Sequence, residues 1–177
     1  MAMFFVLYGR CITPSYGVDI RIPYNILLGN KKTKRHRMGT WGIGNFENDD
    51  ASDWVYDLEK SKGKKILYKA LNSVLENAEY IEAPDCCEAL AAAEVIYSGL
   101  SSDHSGVSEE VIKWLNKKPG LFKKPISFEA SDAKKSIETI NKILSSSELK
   151  ELWEESEHFE EWKKIENALI EKLSKFA

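Results

Sequence analysis

The run "CCEALAAAEVIYSGL", Cys86 to Leu100, limits the possible folds more than any other stretch of this chain. Small and apolar residues occupy most of its circumference, and a helix that is apolar nearly all round has to be covered on several sides. Pro84 suits the first turn of such a helix, where its missing N–H is not needed. A central helix with close neighbours is therefore the organising expectation.

The neighbours also read as helices. Ala51, Trp54, Val55 and Leu58 follow the i, i+3, i+4, i+7 spacing and predict a helix from about Asp49 to Lys60, with Asn48, Asp49 and Asp50 at its start. Gly63 ends it, and Ile66, Leu67, Ala70, Leu71, Val74, Leu75 and Ala78 line a second. Ser108 before Glu109-Glu110 reads as an N-cap opening a helix through Val111, Ile112 and Leu115, stopped by Pro119-Gly120. After a loop containing Pro125, Ser131 reads as the cap of a helix buried through Ala133, Ile137, Ile140 and Leu144. The C-terminal apolar positions, Leu149, Leu152 and Trp153 and then Phe159, Trp162, Ile165, Leu169 and Leu173, change phase near Ser156 and predict a short helix before a longer one. Strand alternation is hard to find. The fold class is all-α, a compact bundle of six or seven short helices in one domain over 38–177.

Residues 1–37 do not share this pattern. They read as an irregular basic extension, with seven Lys/Arg against Asp19, whereas 38–177 carry eighteen Lys/Arg against twenty-seven acids, a balance of −9. The basic cluster "KKTKRHR" follows the apolar residues rather than preceding them, the wrong order for a signal peptide, and no stretch is long enough to span a membrane. Lys34-Arg35 can be encoded AAG AGG, which resembles a ribosome-binding site, and His36-Arg37 then supply the spacer before Met38. The reading taken is a start assigned too early, with a phosphate-contacting tail as the alternative. Three cysteines, Cys11, Cys86 and Cys87, make no even disulfide framework, so the expected compartment is the reducing cytoplasm.

The segments "MGTWGIGNFENDDASDWVYDLE", "ALNSVLENAEYIEAPDCCEALAAAEVIYSGL" and "SELKELWEESEHFEEWKKIENAL" closely resemble the small bacterial family known as domain of unknown function 4259. The resemblance runs from Met38 to Phe176 and implies Met38 as the usual first residue. It implies no activity and assigns no catalytic residue.

Several groups are candidates for chemistry. Gly39, Gly42 and Gly44 have neither the strand nor the Lys-Ser/Thr that a phosphate loop needs, so they read as turn glycines in a structural N-terminal motif. In that motif Trp41 and Phe46 enter the core beside Trp54, and Asp50 belongs to the helix start. Asp49, Asp53 and Asp57 share one helix face, an ordinary solvent face or, with Asp50, a site for a hard cation. Glu155 and His158 form half of a di-iron motif whose other half is missing. Cys86 and Cys87 in a first helical turn are either core filling or reactive thiolates. Cys87, Ala91, Glu94 and Ser98 make a narrow stripe, read as the exposed edge of the central helix rather than as the setting of a buried catalytic carboxylate. Lys60, Lys62, Lys64, Lys65 and Lys69 form the best anion-binding patch, but an acidic domain without interleaved aromatics argues against nucleic acid.

No catalytic constellation is complete and no cofactor is implied. The expected function is a noncatalytic interaction domain binding another protein, in the manner of an antitoxin or immunity protein that presents carboxylates to a basic partner. Neither nucleic acid nor membrane is expected as a partner, and the oligomeric state is left open. The alternative is a metal-dependent enzyme using Asp49, Asp50 and Asp53, with Glu155 and His158.

Overall fold

The computed structural model describes residues 39–117 and 126–177, and these form seven helices: α1 (Asp49–Lys60), α2 (Lys65–Leu75), α3 (Ala83–Ser101), α4 (Glu109–Leu115), α5 (Ala130–Ser145), α6 (Glu148–Glu154) and α7 (Phe159–Ser174). Among the described residues there is no strand, only an isolated bridge between Thr40 and Asn48. The all-α expectation holds. The basic extension, Met38, Cys11, Pro119-Gly120 and Pro125 lie outside the described residues.

α3 is the centre. Eleven of its residues are buried, including Cys86, Cys87, Ala91, Val95, Ile96 and Ser98, and it packs against α1, α2, α5, α6 and α7. Its alanines let those neighbours approach closely, while its backbone satisfies its own hydrogen bonds, so burying it on all sides leaves few polar groups unpaired. α4 lies outside this ring and packs on α1, where Trp114 Nε1 donates to Ser61 Oγ at 3.1 Å.

The helix ends have local causes. Asn48 caps α1, its side chain accepting from the Ala51 N–H at 2.8 Å. Pro84 lies in the first turn of α3. Ser108 stands at the N-cap of α4 without a side-chain bond into the helix. The start of α5 departs from the sequence reading: Glu129, not Ser131, is the cap, in a reciprocal capping box with Asp132. Its buried face is also turned, because Ser136, Thr139 and Ile143 are buried with Ala133 and Ile140, leaving Ile137 and Leu144 half-buried. Trp153 of α6 and Trp162 of α7 stack at 5.9 Å and 12°, which fixes the turn between these helices.

One ion pair ties distant segments together. Asp132, fully buried, accepts from Lys64 Nζ at 2.7 Å, from the Tyr68 hydroxyl and from the Glu129 N–H at 2.8 Å. Burial alone would push its carboxyl up, but these bonds outweigh it and hold the group below its usual value. Lys64 therefore points inward and is not available to the predicted anion patch.

Asp132→Ala strands the Lys64 ammonium and removes half of the α5 capping box, and is expected to cost about 3 kcal/mol in chemical denaturation. Because the folded carboxyl is held below 3.8, its contribution is complete above that pH and is lost as pH falls further. Denaturation curves of wild type and variant at neutral pH and below pH 3 check both statements: the gap must narrow in acid.

Candidate functional site

Residues 39–48 form a loop that folds back on the bundle. Asp49 N–H donates to the Gly39 carbonyl at 2.9 Å, Trp41 N–H to that of Glu47 at 3.1 Å, and Gly44 N–H to Glu47 Oε2 at 2.8 Å. Carboxylates occupy the space beside two of the glycines. A Cβ on Gly39 would lie 2.2 Å from Asp49 Oδ2, and one on Gly42 2.0 Å from Glu47 Oε2. None of the three glycines takes a left-handed conformation, and the placement of the aromatic residues is corrected: Trp41 is 48% exposed, Phe46 is half-buried, and only Trp54 is a full core residue. The loop sends Asn45 and Asn48 inward and leaves Trp41 facing out.

Asn45 is buried and reaches the interior between α3 and α7. Its Nδ2 donates to Glu94 Oε1 at a long 3.4 Å. Behind it sits Glu166 of α7, fully buried, with neither carboxyl oxygen in a hydrogen bond. Burial, then the nearby Glu94 charge, pushes the Glu166 carboxyl up to about 8, with Asn45 only partly offsetting them. Burial also raises Glu94, against the opposing pull of Lys172 and Asn45. Two carboxyl groups in one water-poor interior resist being ionised together.

The stripe Cys87, Ala91, Glu94 and Ser98 is therefore not an exposed edge. Cys87, Ala91 and Ser98 are buried, Glu94 is half-buried, and the stripe faces α7 and the loop. It reads as polar because it forms an internal seam, and on a helix covered from every side no stripe faces bulk water. Beneath the loop, Asn45, Cys87, Leu90, Trp153 and Trp162 help line a cavity of about 20 Å³, room for about one water. Ser98 Oγ lies 2.6 Å from His104 Nδ1 at the far end of the seam.

The remaining sequence candidates stay apart. Asp49 and Asp53 lie exposed on the outer side of α1, Asp50 is half-buried toward Cys87, and Glu155 is exposed at the end of α6. His158 bonds Glu161 through Nδ1 at 2.8 Å, with Glu157 3.7 Å from Nε2. Among the described residues, no group of three or more His, Cys, Asp or Glu is arranged to hold a metal ion. Asp49, Asp50, Asp53, Glu155 and His158 thus do not converge, because α1 presents two of its acids outward while His158 is engaged within its own turn. The thiols do not match the reactive reading either. Burial pushes Cys86 up to about 12 and Cys87 well above its usual value, outweighing the helix N-terminus.

Sequence reading missed Glu166 and Asn45. The signal for Glu166 was its position: Trp162, Glu166, Leu169 and Leu173 are the four buried residues of α7 and follow helical spacing.

An all-helical domain whose N-terminal loop closes over an internal pair of carboxyl groups is the class of protein these features define. Among the described residues, no helix is long and apolar enough to cross a membrane. The match to the family model described as domain of unknown function (DUF4259) covers residues 39–165, so the chain belongs to that family. No curated protein and no solved structure matches it.

At pH 7, Cys86 and Cys87 of the native protein are expected to alkylate more slowly than in the unfolded chain by about tenfold or more, since both are buried and held as thiols. Peptide mapping after iodoacetamide treatment checks this, and native labelling at the unfolded rate would contradict it.

Proposed function

We propose that this protein is a noncatalytic protein-interaction domain of the antitoxin or immunity type, presenting the outer face of α1 to a basic partner protein. The observation that carries the reading is the make-up of that face. Asp49, Asp53 and Asp57 are exposed on successive turns, and Tyr56 stands among them, itself 62% exposed. A tyrosine left in water amid carboxylates supplies what a binding face uses: apolar area with a polar tip, and charge of one sign around it. Trp41 adds a second exposed aromatic residue on the loop that Asp49 ties to the start of α1.

The charge of 38–177 supports the same direction. A balance of −9 draws a basic protein in and orients it, while repelling nucleic acid and anionic lipid. Lys60, 3.5 Å from Asp57, is too exposed to neutralise the face appreciably. The reading places the protein in the cytoplasm, where Cys86 and Cys87 stay reduced.

Affinity capture with the wild type and with an Asp53→Lys, Tyr56→Ala, Asp57→Lys variant tests it. These surface changes should leave stability within about 0.5 kcal/mol. The wild type is expected to retain a basic protein that salt elutes, and the variant to bind it at least about tenfold more weakly, a loss of roughly 1.4 kcal/mol. Equal retention of that protein by both sinks the reading.

A further inference from the structure

Two carboxyl groups from different helices share one interior, and the N-terminal loop closes on them through a single side chain. Glu166 is fully buried with both oxygens unpartnered, Glu94 is half-buried, and Asn45 reaches in from the loop. The groups whose charge or hydrogen bonding bears on them come from three sides. Glu94 of α3 and Asn45 of the loop act on Glu166. Lys172 of α7, Asp103 of the α3–α4 connection and Asn45 act on Glu94. Beyond the pair, Asp50 of α1 and Glu166 both act on Cys87. Among the described residues, α5 and α6 contribute no charge that bears on either carboxyl group.

An ionised Glu166 here would have no donor in good geometry and a second carboxylate for a neighbour. Such a group keeps its proton or gains water, and the small cavity beneath the loop is lined by Asn45 and Cys87 but by neither carboxyl group, so water reaches the pair only if an element moves. The element that gives way most readily is the loop, held by a few backbone bonds, rather than α7 with its full helical ladder and its buried tryptophan.

We propose that Glu94 and Glu166 form a proton-held latch: the closed loop, whose Asn45 donates to Glu94, helps keep the pair in a water-poor interior that tolerates it only while protonated, and loss of the proton, by calling for water there, releases the loop. The O–H bond of the Glu166 carboxyl breaks, the proton passes to solvent, and the carboxylate left behind is hydrated through the opening.

The direction with pH follows from the shift. Glu166 titrates at about 8 in the closed form and at the ordinary 4.5 when hydrated, so closure binds the proton more tightly. The contribution to closure is complete below about 4.5, declines as pH rises, and is gone above about 8. Across that window the closing equilibrium falls by up to about tenfold per pH unit. Glu94, raised by burial, acts in the same direction.

Amide hydrogen exchange on the full chain at pH 6, 7, 8 and 9, corrected for intrinsic exchange, tests the latch. Protection at Trp41 and Asp49 is expected to drop by about tenfold or more relative to the α5 amides of Ile140 and Ile143. Glu166→Gln, which cannot ionise, should flatten that profile. The latch is refuted by a flat wild-type profile, by loop and α5 declining together, or by an undiminished drop in Glu166→Gln. Should that variant fail to fold, carbon-13 titration of the wild-type Glu166 carboxyl decides. A midpoint near 8 coinciding with the loop transition supports the latch, and one near 4.5 overturns it. Recovery of wild-type loop protection at pH 9 on adding calcium chloride would assign the pair to a cation and overturn the proton reading.

Discussion

The burial of α3 on all sides is the constraint on which the rest depends. A helix on the surface of a bundle can send its polar residues to water, but α3 has α1, α2, α5, α6 and α7 around it. Its mostly small and apolar sequence makes that tolerable, since the backbone satisfies itself and alanines admit close neighbours. What remains polar on α3 must then find partners inside. Ser98 finds His104, Glu94 finds Asn45 at the edge of hydrogen-bonding range, and Cys87 stays a neutral thiol. The internal seam is thus a consequence of the architecture, and the loop at residues 39–48 is the element that seals it.

Two fully buried acids show how the same cost is met in opposite ways. Asp132 collects an ammonium, a phenol and a backbone N–H, and its charged form is favoured. Glu166 has no such donor and faces another carboxyl group, so its neutral form is favoured. Burial opposes charge at both sites, and only the partners differ. The first arrangement fastens α2 to α5 and has an evident structural role. The second contributes no bond that would repay placing an acid there, and a buried acid kept without partners is a stronger pointer to function than one fully paired.

Periodicity made most of the fold legible, because each outer helix buries one stripe, and a stripe can be read from spacing. The same reasoning failed where a stripe is not set against water. On α3 the spacing of the polar residues suggests an exposed edge, although a central helix has none. On α7 the apolar spacing runs through Ile165, whereas the buried face carries Glu166 between Trp162 and Leu169. Lys64 looks like surface charge in the sequence, and only its partner Asp132, distant in the chain, turns it inward. Spacing reports which face of a helix a residue occupies. It does not report what lies opposite, and for buried charge the opposite side decides.

The loop joins the two surfaces that matter. Its glycines leave space for the carboxylates of Asp49 and Glu47, and this folding directs Asn45 inward to the carboxyl pair while Trp41 faces out beside the start of α1. One short segment therefore touches both the internal proton site and the proposed docking face. A partner that engages Trp41 in the closed loop favours the protonated form, and linkage requires the converse: protonation strengthens that partner's binding by the same factor. Coupling of this kind needs no pathway through the bundle, because a single two-state element carries both contacts.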